Sequence, residues 1–322
     1  MSKPSPKSQG AHSKELDPGA LNFEKAALFF VPLSIILVRG SLICILQKGF
    51  QYGVDFAGGT EVQVQFNQSI ETSRLRKFTD DMGFPSAFLQ AFEKGDEFLI
   101  RLEPIKASTE KEANRLLTET IQKITNGLSA AFTTEAPAVR RIDTVGPQVG
   151  AELKRNGILA TFYSLLMILI YVGLRFDYKY APGAVFCLFH DALVILGVYS
   201  VFGFEMNVQI MAAVLTIIGY SMNDTIVVFD RIRENEKVYR GQAFRWICNR
   251  SMNDVFKRTL LTSITTSFSV AVMYFLAGGV IKDFALTMGI GIVVGTYSSI
   301  YVATPLTILI DMLEHKKKPV PA

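Results

Sequence analysis

The residue in this chain with the clearest chemical potential is a carboxylate placed where hydrocarbon is expected. Residues 219–235 read GYSMNDTIVVFDRIREN, and Asp224 lies inside an apolar run, 208–229, long enough to cross a bilayer. A carboxylate at that depth costs about 2.5–3.5 kcal/mol on insertion scales, so chains keep one mainly where it pairs, titrates or lines a path for ions. Asp224 stands about six residues from the polar end of its run, which is about 9 Å along a helix. A carboxyl set between burial and a nearby cation can exchange its proton, and Arg258, in KRTLLTS at the start of a later apolar run, is the cation at similar depth. Arg258, Thr262, Thr265, Thr266 and Ser269 share one stripe at helical spacing. Their hydroxyls either hold water along a path or bond back to their own helix carbonyls while letting helices approach. His190 and Asp191 sit in another apolar run at a comparable level, as relay partners or as a structural hydrogen bond between helices. Ser221 and Asn223, beside Asp224, shape the local hydrogen bonding.

Other chemistry finds no support. There is no Walker motif, no HExxH and no cluster of Cys or His with ligand spacing, so neither an ATPase nor a metalloenzyme is indicated. Nothing sets a nucleophile beside a base, and the expectation is a non-enzyme with protons as its only coupling ion and no cofactor. Cys44, Cys187 and Cys248 are odd in number and imply no disulfide framework. Gly289, Gly291 and Gly295 follow no strand, so they read as a close-packing helix face, with Gly291 and Gly295 in GxxxG spacing, and not as a nucleotide loop.

These residues need helices to position them. Of the 322 residues 49% are hydrophobic, and six apolar runs reach spanning length, near 27–46, 157–174, 181–202, 208–229, 262–277 and 284–310. The expected architecture is an α-helical membrane protein with six transmembrane helices and one α+β domain between helices 1 and 2. Its parts are a disordered tail (1–25), helix 1 (26–47), the domain (48–155), helices 2–6 (156–312) with a loop at 230–261, and a basic tail (313–322). Lys and Arg concentrate in the N-terminal tail, the 175–180 turn, the 230–261 loop and the Lys316, Lys317 and Lys318 tail, which puts both termini in the cytoplasm and the domain outside. The basic segment 231–258, with Trp246, Val255 and Phe256 among its charges, reads as an interfacial helix beside anionic membrane lipids, with no nucleic acid expected.

Within 48–155 the pattern is a strand at 60–66, a helix at 71–82, strands at 87–91 and 97–102, a helix from the capping-box pair Thr109 and Glu112 to Gly127, and a strand at 139–145. The succession β-α-β-β-α-β is ferredoxin-like. Two glycine-rich segments join this domain to the spans: YGVDFAGGT, with Asp55, Gly58 and Gly59, and VGPQVG, with Gly146, Pro147 and Gly150. They read either as tight turns with local Asp55 hydrogen bonds or as flexible hinges.

GVDFAGGTEV, VGPQVGAELKRNG, the HDA at 190–192 and GYSMNDTIVVFDRIREN resemble signature segments of the SecF family, from about residue 27 to 312. The fourth-span segment is the specific part. The resemblance implies membership of the resistance-nodulation-division (RND) superfamily, a six-span half pairing with a SecD-like subunit, and a bacterial inner-membrane location. It implies an accessory role at a SecYEG-type translocon, where the proton motive force promotes late export of an unfolded polypeptide. Asp224 then corresponds to the family's proton-carrying aspartate and Arg258 to its functional arginine, with Asp191 beside them and His190, Ser221, Asn223, Thr262 and Thr266 as a supporting polar path. Half of an RND-type exporter of small molecules or lipids, and a scaffold subunit that moves no protons, are the alternatives. Arg39, well inside the first span, departs from what an apolar helix needs.

Overall fold

The computed structural model of the chain describes residues 21–92, 95–104 and 110–317. The expected tail over 1–20, Thr109 of the capping box and Lys318 onward lie outside the described residues. The chain divides into two compact units. One comprises the residues up to Gly49, Tyr163–Gly203 and Ala212 onward, and the other comprises Phe50–Phe162 and Phe204–Met211.

In chain order the elements are α1 (Phe23–Lys48), β1 (Gln51–Tyr52), α2 (Val54–Ala57), β2 (Gly59–Gln65), α3 (Thr72–Asp81), β3 (Phe88–Ala91), β4 (Glu97–Leu102), α4 (Glu110–Ala131) and β5 (Ala138–Val145). There follow α5 (Pro147–Arg175), α6 (Ala181–Phe202), β6 (Glu205–Met206), α7 (Val208–Val238), α8 (Phe244–Leu276), α9 (Gly279–Ser298), a π-helical turn (Ser299–Ala303) and α10 (Thr304–Lys317). Six helical stretches are long and apolar enough to cross a membrane, so this is a multi-pass membrane protein.

The Phe50–Phe162 unit is built on a sheet of order β3-β4-β2-β5 with every neighbour antiparallel, the ferredoxin-like arrangement. Alternation decides its faces. Val62, Val64 and Phe66 from β2 and its end, with Phe98, Ile100 and Leu102 from β4, turn to one side and pack with Leu75 of α3 and Ile124, Leu128 and Phe132 of α4 or its end. The other face is charged. Glu61 stands opposite Arg101 on one neighbouring strand and Asp143 on the other, and Arg101 forms a 3.0 Å ion pair with Glu205 of β6. Strand β6 pairs in parallel with β1, a contact of two residues a side that leaves no periodic signal.

In the other unit, helices extend further than the hydropathy pattern indicated. Helix α1 begins at Phe23, inside the expected tail, because the Asn22 side chain accepts from the Lys25 N–H and Phe23, only 3% exposed, stacks on Phe256. Residues 230–261, expected as a loop, are helical to Val238 and again from Phe244. Several of their charges are held in fixed contacts: Arg175–Asp230 at 2.5 Å, Lys179 to both Glu236 and Asp311 at 2.9 Å, and Arg231–Asp254 at 2.8 Å. Burial alone pulls the Lys179 ammonium down, but the hydrogen bonds to Glu236 and Asp311 outweigh it and leave Lys179 above its ordinary value. The last span contains a π turn at Ser299–Ala303. Pro305 accounts for it, since it has no N–H for the ladder and its ring crowds the carbonyl of Tyr301. Glycines permit the closest helix approaches: a Cβ on Gly291 would lie 2.3 Å from Ile217 of α7, and one on Gly295 would lie 2.9 Å from Ser221. Both therefore belong to the packing face that the spacing indicated, whereas Gly289 makes only ordinary contact.

The charged sheet face titrates. Burial, then Glu205 and Asp143, raise the Glu61 carboxyl from an ordinary 4.5 to about 7, against the opposing pull of Arg101 and Arg141. A carboxyl raised on folding costs nothing while it is protonated in both states and penalises the fold once the unfolded chain ionises, so stability falls as pH rises from about 4.5 to about 7. Glu61→Gln is expected to match wild type near pH 4 and to exceed it by up to about 3 kcal/mol above pH 7. Urea titrations of the intact chain at several pH values, read by hydrogen exchange of β2 and β4 amides against intrinsic rates, measure this; a pH-independent difference would refute it.

Candidate functional site

The polar centre of the helical unit is Asp191 on α6, with no exposed surface. Its Oδ2 accepts hydrogen bonds from Ser298 Oγ at 2.8 Å and from Ser221 Oγ, and its Oδ1 lies 2.9 Å from His190 Nδ1. Three helices meet there: α6 supplies the acid and imidazole, α7 supplies Ser221 and α9 supplies Ser298. Cys187, one turn before Asp191, extends the network by contacts to Ser298 Oγ at 3.2 Å and Thr225 Oγ1 at 3.8 Å. All three cysteines are free. Helical spacing explains the convergence, since Cys187 and Asp191 are four apart on α6 and Ser221 and Thr225 four apart on α7, each pair on one face.

Asp224 is three residues beyond Ser221 on α7 and is 3% exposed. Its Oδ2 has no hydrogen-bond partner. Arg258 forms no ion pair with it, yet lies near enough for the two charges to be coulombically coupled. One helix therefore carries a serine committed to Asp191 and, one turn on, a buried carboxyl with unused hydrogen-bonding capacity.

The other expected site residues separate into those that join this centre and those that do not. Ser221 is a direct ligand of Asp191, a larger role than local shaping. Asn223 is exposed and points away from the buried face. On α8, Thr262 Oγ1 donates to the carbonyls of Arg258 and Thr259, Thr265 to that of Leu261, Thr266 to that of Thr262 and Ser269 to that of Thr265. The stripe thus adopts the back-bonded geometry, and a cross-helix bond runs to it from Tyr220 to Thr266 at 3.3 Å. Ser298 and Thr225 escaped the sequence reading, which weighed Cys187 only for disulfide bonding. Their only signal was a small polar side chain inside an apolar run, which many helix-packing residues share.

The glycine-rich joints form part of one packed structure. Asp55 Oδ2 accepts from the N–H of Val208 at 3.1 Å and so caps the start of α7, the helix that carries Ser221 and Asp224. The Gly53 N–H donates to the Met206 carbonyl at 2.8 Å. Gly58 and Gly59 have φ of 73° and 123°, and a side chain on Gly59 would strike the Leu102 carbonyl. A Cβ on Gly150 would meet the Gly58 nitrogen at 3.0 Å, so the two motifs touch. Gly146 lies between β5 and α5, and Pro147 opens α5 at the position where a proline's missing N–H costs nothing.

Among the described residues no group of His, Cys, Asp or Glu is arranged to hold a metal ion. Residues 125–313 match the family of protein export membrane proteins SecD/SecF, C-terminal, and residues 45–70 match the SecD/SecF GG motif. The chain is 40% identical over 289 residues to the protein translocase subunit SecF of Desulfurispirillum indicum, covering 89% of this chain and 90% of that one. It is 39% identical over 301 residues to the protein translocase subunit SecF of Vibrio alginolyticus, with 94% of this chain and 92% of that one covered. The protein translocase subunit SecDF of Thermus thermophilus is 37% identical over 300 residues, which are 91% of this chain and only 39% of the longer relative. The crystal structure of the Thermus SecDF, described as a translocon-associated membrane protein, superposes with a TM-score of 0.79 at 36% identity, covering 94% of this chain and 39% of that chain.

The Asp191 centre makes a stability prediction. Ser221→Ala or Ser298→Ala alone leaves one hydroxyl on Oδ2 and is expected to cost about 1 kcal/mol, whereas the double variant leaves a desolvated oxygen without a hydroxyl donor and should cost about 3 kcal/mol or more. Thermal unfolding of the detergent-solubilised chain measures the series; strictly additive losses would contradict a shared acceptor.

Proposed function

The chain belongs to the SecD/SecF family of protein export membrane proteins, and from that premise we propose that it is an accessory subunit of the Sec translocation machinery that uses the proton motive force to promote late steps of polypeptide export. The observation that carries the proposal is Asp224, a buried carboxyl with an unpartnered oxygen in the fourth membrane helix, coulombically coupled to Arg258. Protonation removes the charge that burial opposes, and ionisation restores the attraction to Arg258. Each proton taken up therefore changes what holds α7 beside α8. One charge crossing 100 mV supplies about 2.3 kcal/mol, enough to bias such an exchange by more than tenfold. Asp191, with His190 and Ser221, is the adjoining hydrogen-bonded centre through which a proton reaches or leaves the Asp224 face.

The family supplies the setting. The subunit resides in the bacterial inner membrane with both termini cytoplasmic, as the distribution of Lys and Arg favours. The ferredoxin-like domain then faces the outer side, where it handles the unfolded exported polypeptide. A SecD-like subunit supplies the second six-span half, and a SecYEG-type translocon delivers the substrate. The Asp55 cap on α7 supports coupling, because it ties a loop of that domain to the start of the helix bearing Asp224.

Asp224→Asn preserves the size of the side chain and keeps it polar while abolishing its ionisation. In membrane vesicles, the gradient-dependent part of precursor export is expected to fall at least about tenfold, with complex abundance in the same samples unchanged. Export that keeps its gradient dependence would refute the motor reading, and abundance falling in step with export would make Asp224 a structural clasp.

A further inference from the structure

Arg39 of α1 has no carboxylate partner among the described residues, although it lies nine positions before the end of a 26-residue membrane helix, about 14 Å from that end. It lines a cavity of about 400 Å³ between α1, α6 and the end of the last span. The walls are otherwise almost entirely apolar, from Val31, Ile35 and Val38 of α1, Phe186 of α6, and Val302 and Leu306 of the last span. A second polar group reaches the same cavity. The side chain of His190 is 1% exposed, its Nδ1 is engaged by Asp191, and its Nε2 has no partner. Ser34, also on the wall, is occupied by Tyr297 at 2.5 Å.

We propose that this cavity binds one anionic phospholipid, with Arg39 on its phosphate and an acyl chain in the apolar slot. Three features select that occupant. The helix face around the opening is apolar and outward, with Ile35 48% and Ile36 66% exposed, so the medium that reaches the cavity in a bilayer is lipid. A void of this size with apolar walls holds water poorly and accommodates hydrocarbon. An unpaired guanidinium inside a membrane span needs an anion, and the phosphate of a lipid drawn slightly inward meets a side chain that reaches toward the interface. An uncharged amphiphile fills the slot but leaves Arg39 unpaired. The π turn contributes to the shape, because Val302 sits within it and Pro305, two residues after its end, also lines the cavity.

The site adjoins the Asp191 centre through His190 but requires no proton movement, so it stands or falls independently of the function proposed above. The test is native mass spectrometry of the full chain released from nanodiscs containing equal phosphatidylglycerol and phosphatidylcholine. Wild type is expected to retain one phosphatidylglycerol in at least fivefold preference. Arg39→Gln should abolish that preference, and Leu306→Trp, which fills the slot and keeps the charge, should lower retention of both lipids at least fivefold. Monodisperse elution and unchanged helical circular dichroism establish that each variant is folded, and a third variant, Val38→Trp, replaces any that is not. Equal retention of the two lipids by wild type, preference undiminished in Arg39→Gln, or retention undiminished in a folded slot-filling variant would each overturn the proposal.

Discussion

In hydrocarbon a polar group has no solvent to fall back on, and the buried carboxyl of Asp191 imposes that condition on three helices at once. Its oxygens are met by Ser221 from α7, Ser298 from α9 and the neighbouring imidazole. None of these hydroxyls reaches an acid on another helix unless the backbones come close, and the closeness is supplied by Gly295, which leaves room for Ser221 itself. The same residue is thus a hydrogen-bond donor on one side and a packing element on the other. The π turn begins immediately after Ser298, where Pro305 removes a ladder bond. Thr304 Oγ1 donates to the Ser299 carbonyl at 3.3 Å and so finds its own acceptor inside the helix.

Against that satisfied centre, Asp224 is the exception, and the contrast follows from angular position on one helix. Ser221 and Thr225 share the face that meets α6 and α9, whereas Asp224 is rotated off it toward the Tyr220 side, where the neighbour is Thr266 of α8. The stripe hydroxyls of α8, on Thr262, Thr265, Thr266 and Ser269, have already bonded to carbonyls of their own helix, so they have no spare donor proton for Asp224. What remains is the charge of Arg258. A buried carboxyl with an unpartnered oxygen and one electrostatic neighbour has an interaction energy that changes sharply with its protonation state, which is the property a coupling residue requires. Helix α7 is also held at both ends, by Asp55 at Val208 and by the bonds of Asn235 to Ser251 and Asp254. A change in the middle of such a helix has anchored ends against which to act.

How much of this the chain spelled out depended on whether the signal was periodic. The six spans, the order of strands and helices in the domain and the isolated carboxylate at position 224 were legible because each perturbs a long, regular pattern. Helix ends were not: hydropathy loses the helix at about 230 and regains it at 262, yet Lys179, Glu236 and Asp311 show that a helix continues as readily through paired charges as through leucines. The pairing of β1 with β6 joins residues about 150 positions apart through two residues each, far too few to read. GVDFAGGT was recognisable as a turn, but its acidic residue serves a helix distant in sequence, and no local rule connects Asp55 with Val208. Ser298 was hidden for the opposite reason, being one small polar residue among many.

The exposed faces of α7 and α8 carry a last physical constraint. Asn223 and Arg258 are both open at the surface of this chain, Asn223 inside the fourth span and Arg258 at the start of the fifth. If that surface met lipid directly, the guanidinium would have to reach for the interface, and the coulombic coupling to Asp224 would oppose that escape. The back-bonded threonines point to the same economy, since a hydroxyl bonded to its own carbonyl tolerates an apolar neighbour that a free hydroxyl would not. A surface with that mixture is stable when covered by another helical body presenting polar groups opposite Arg258 and apolar ones opposite the stripe. Within the proposed function, the second six-span half supplies that cover, and the electrostatic setting of Asp224 is then completed across an interface, with Arg258 facing both the acid of its own chain and the groups of its partner.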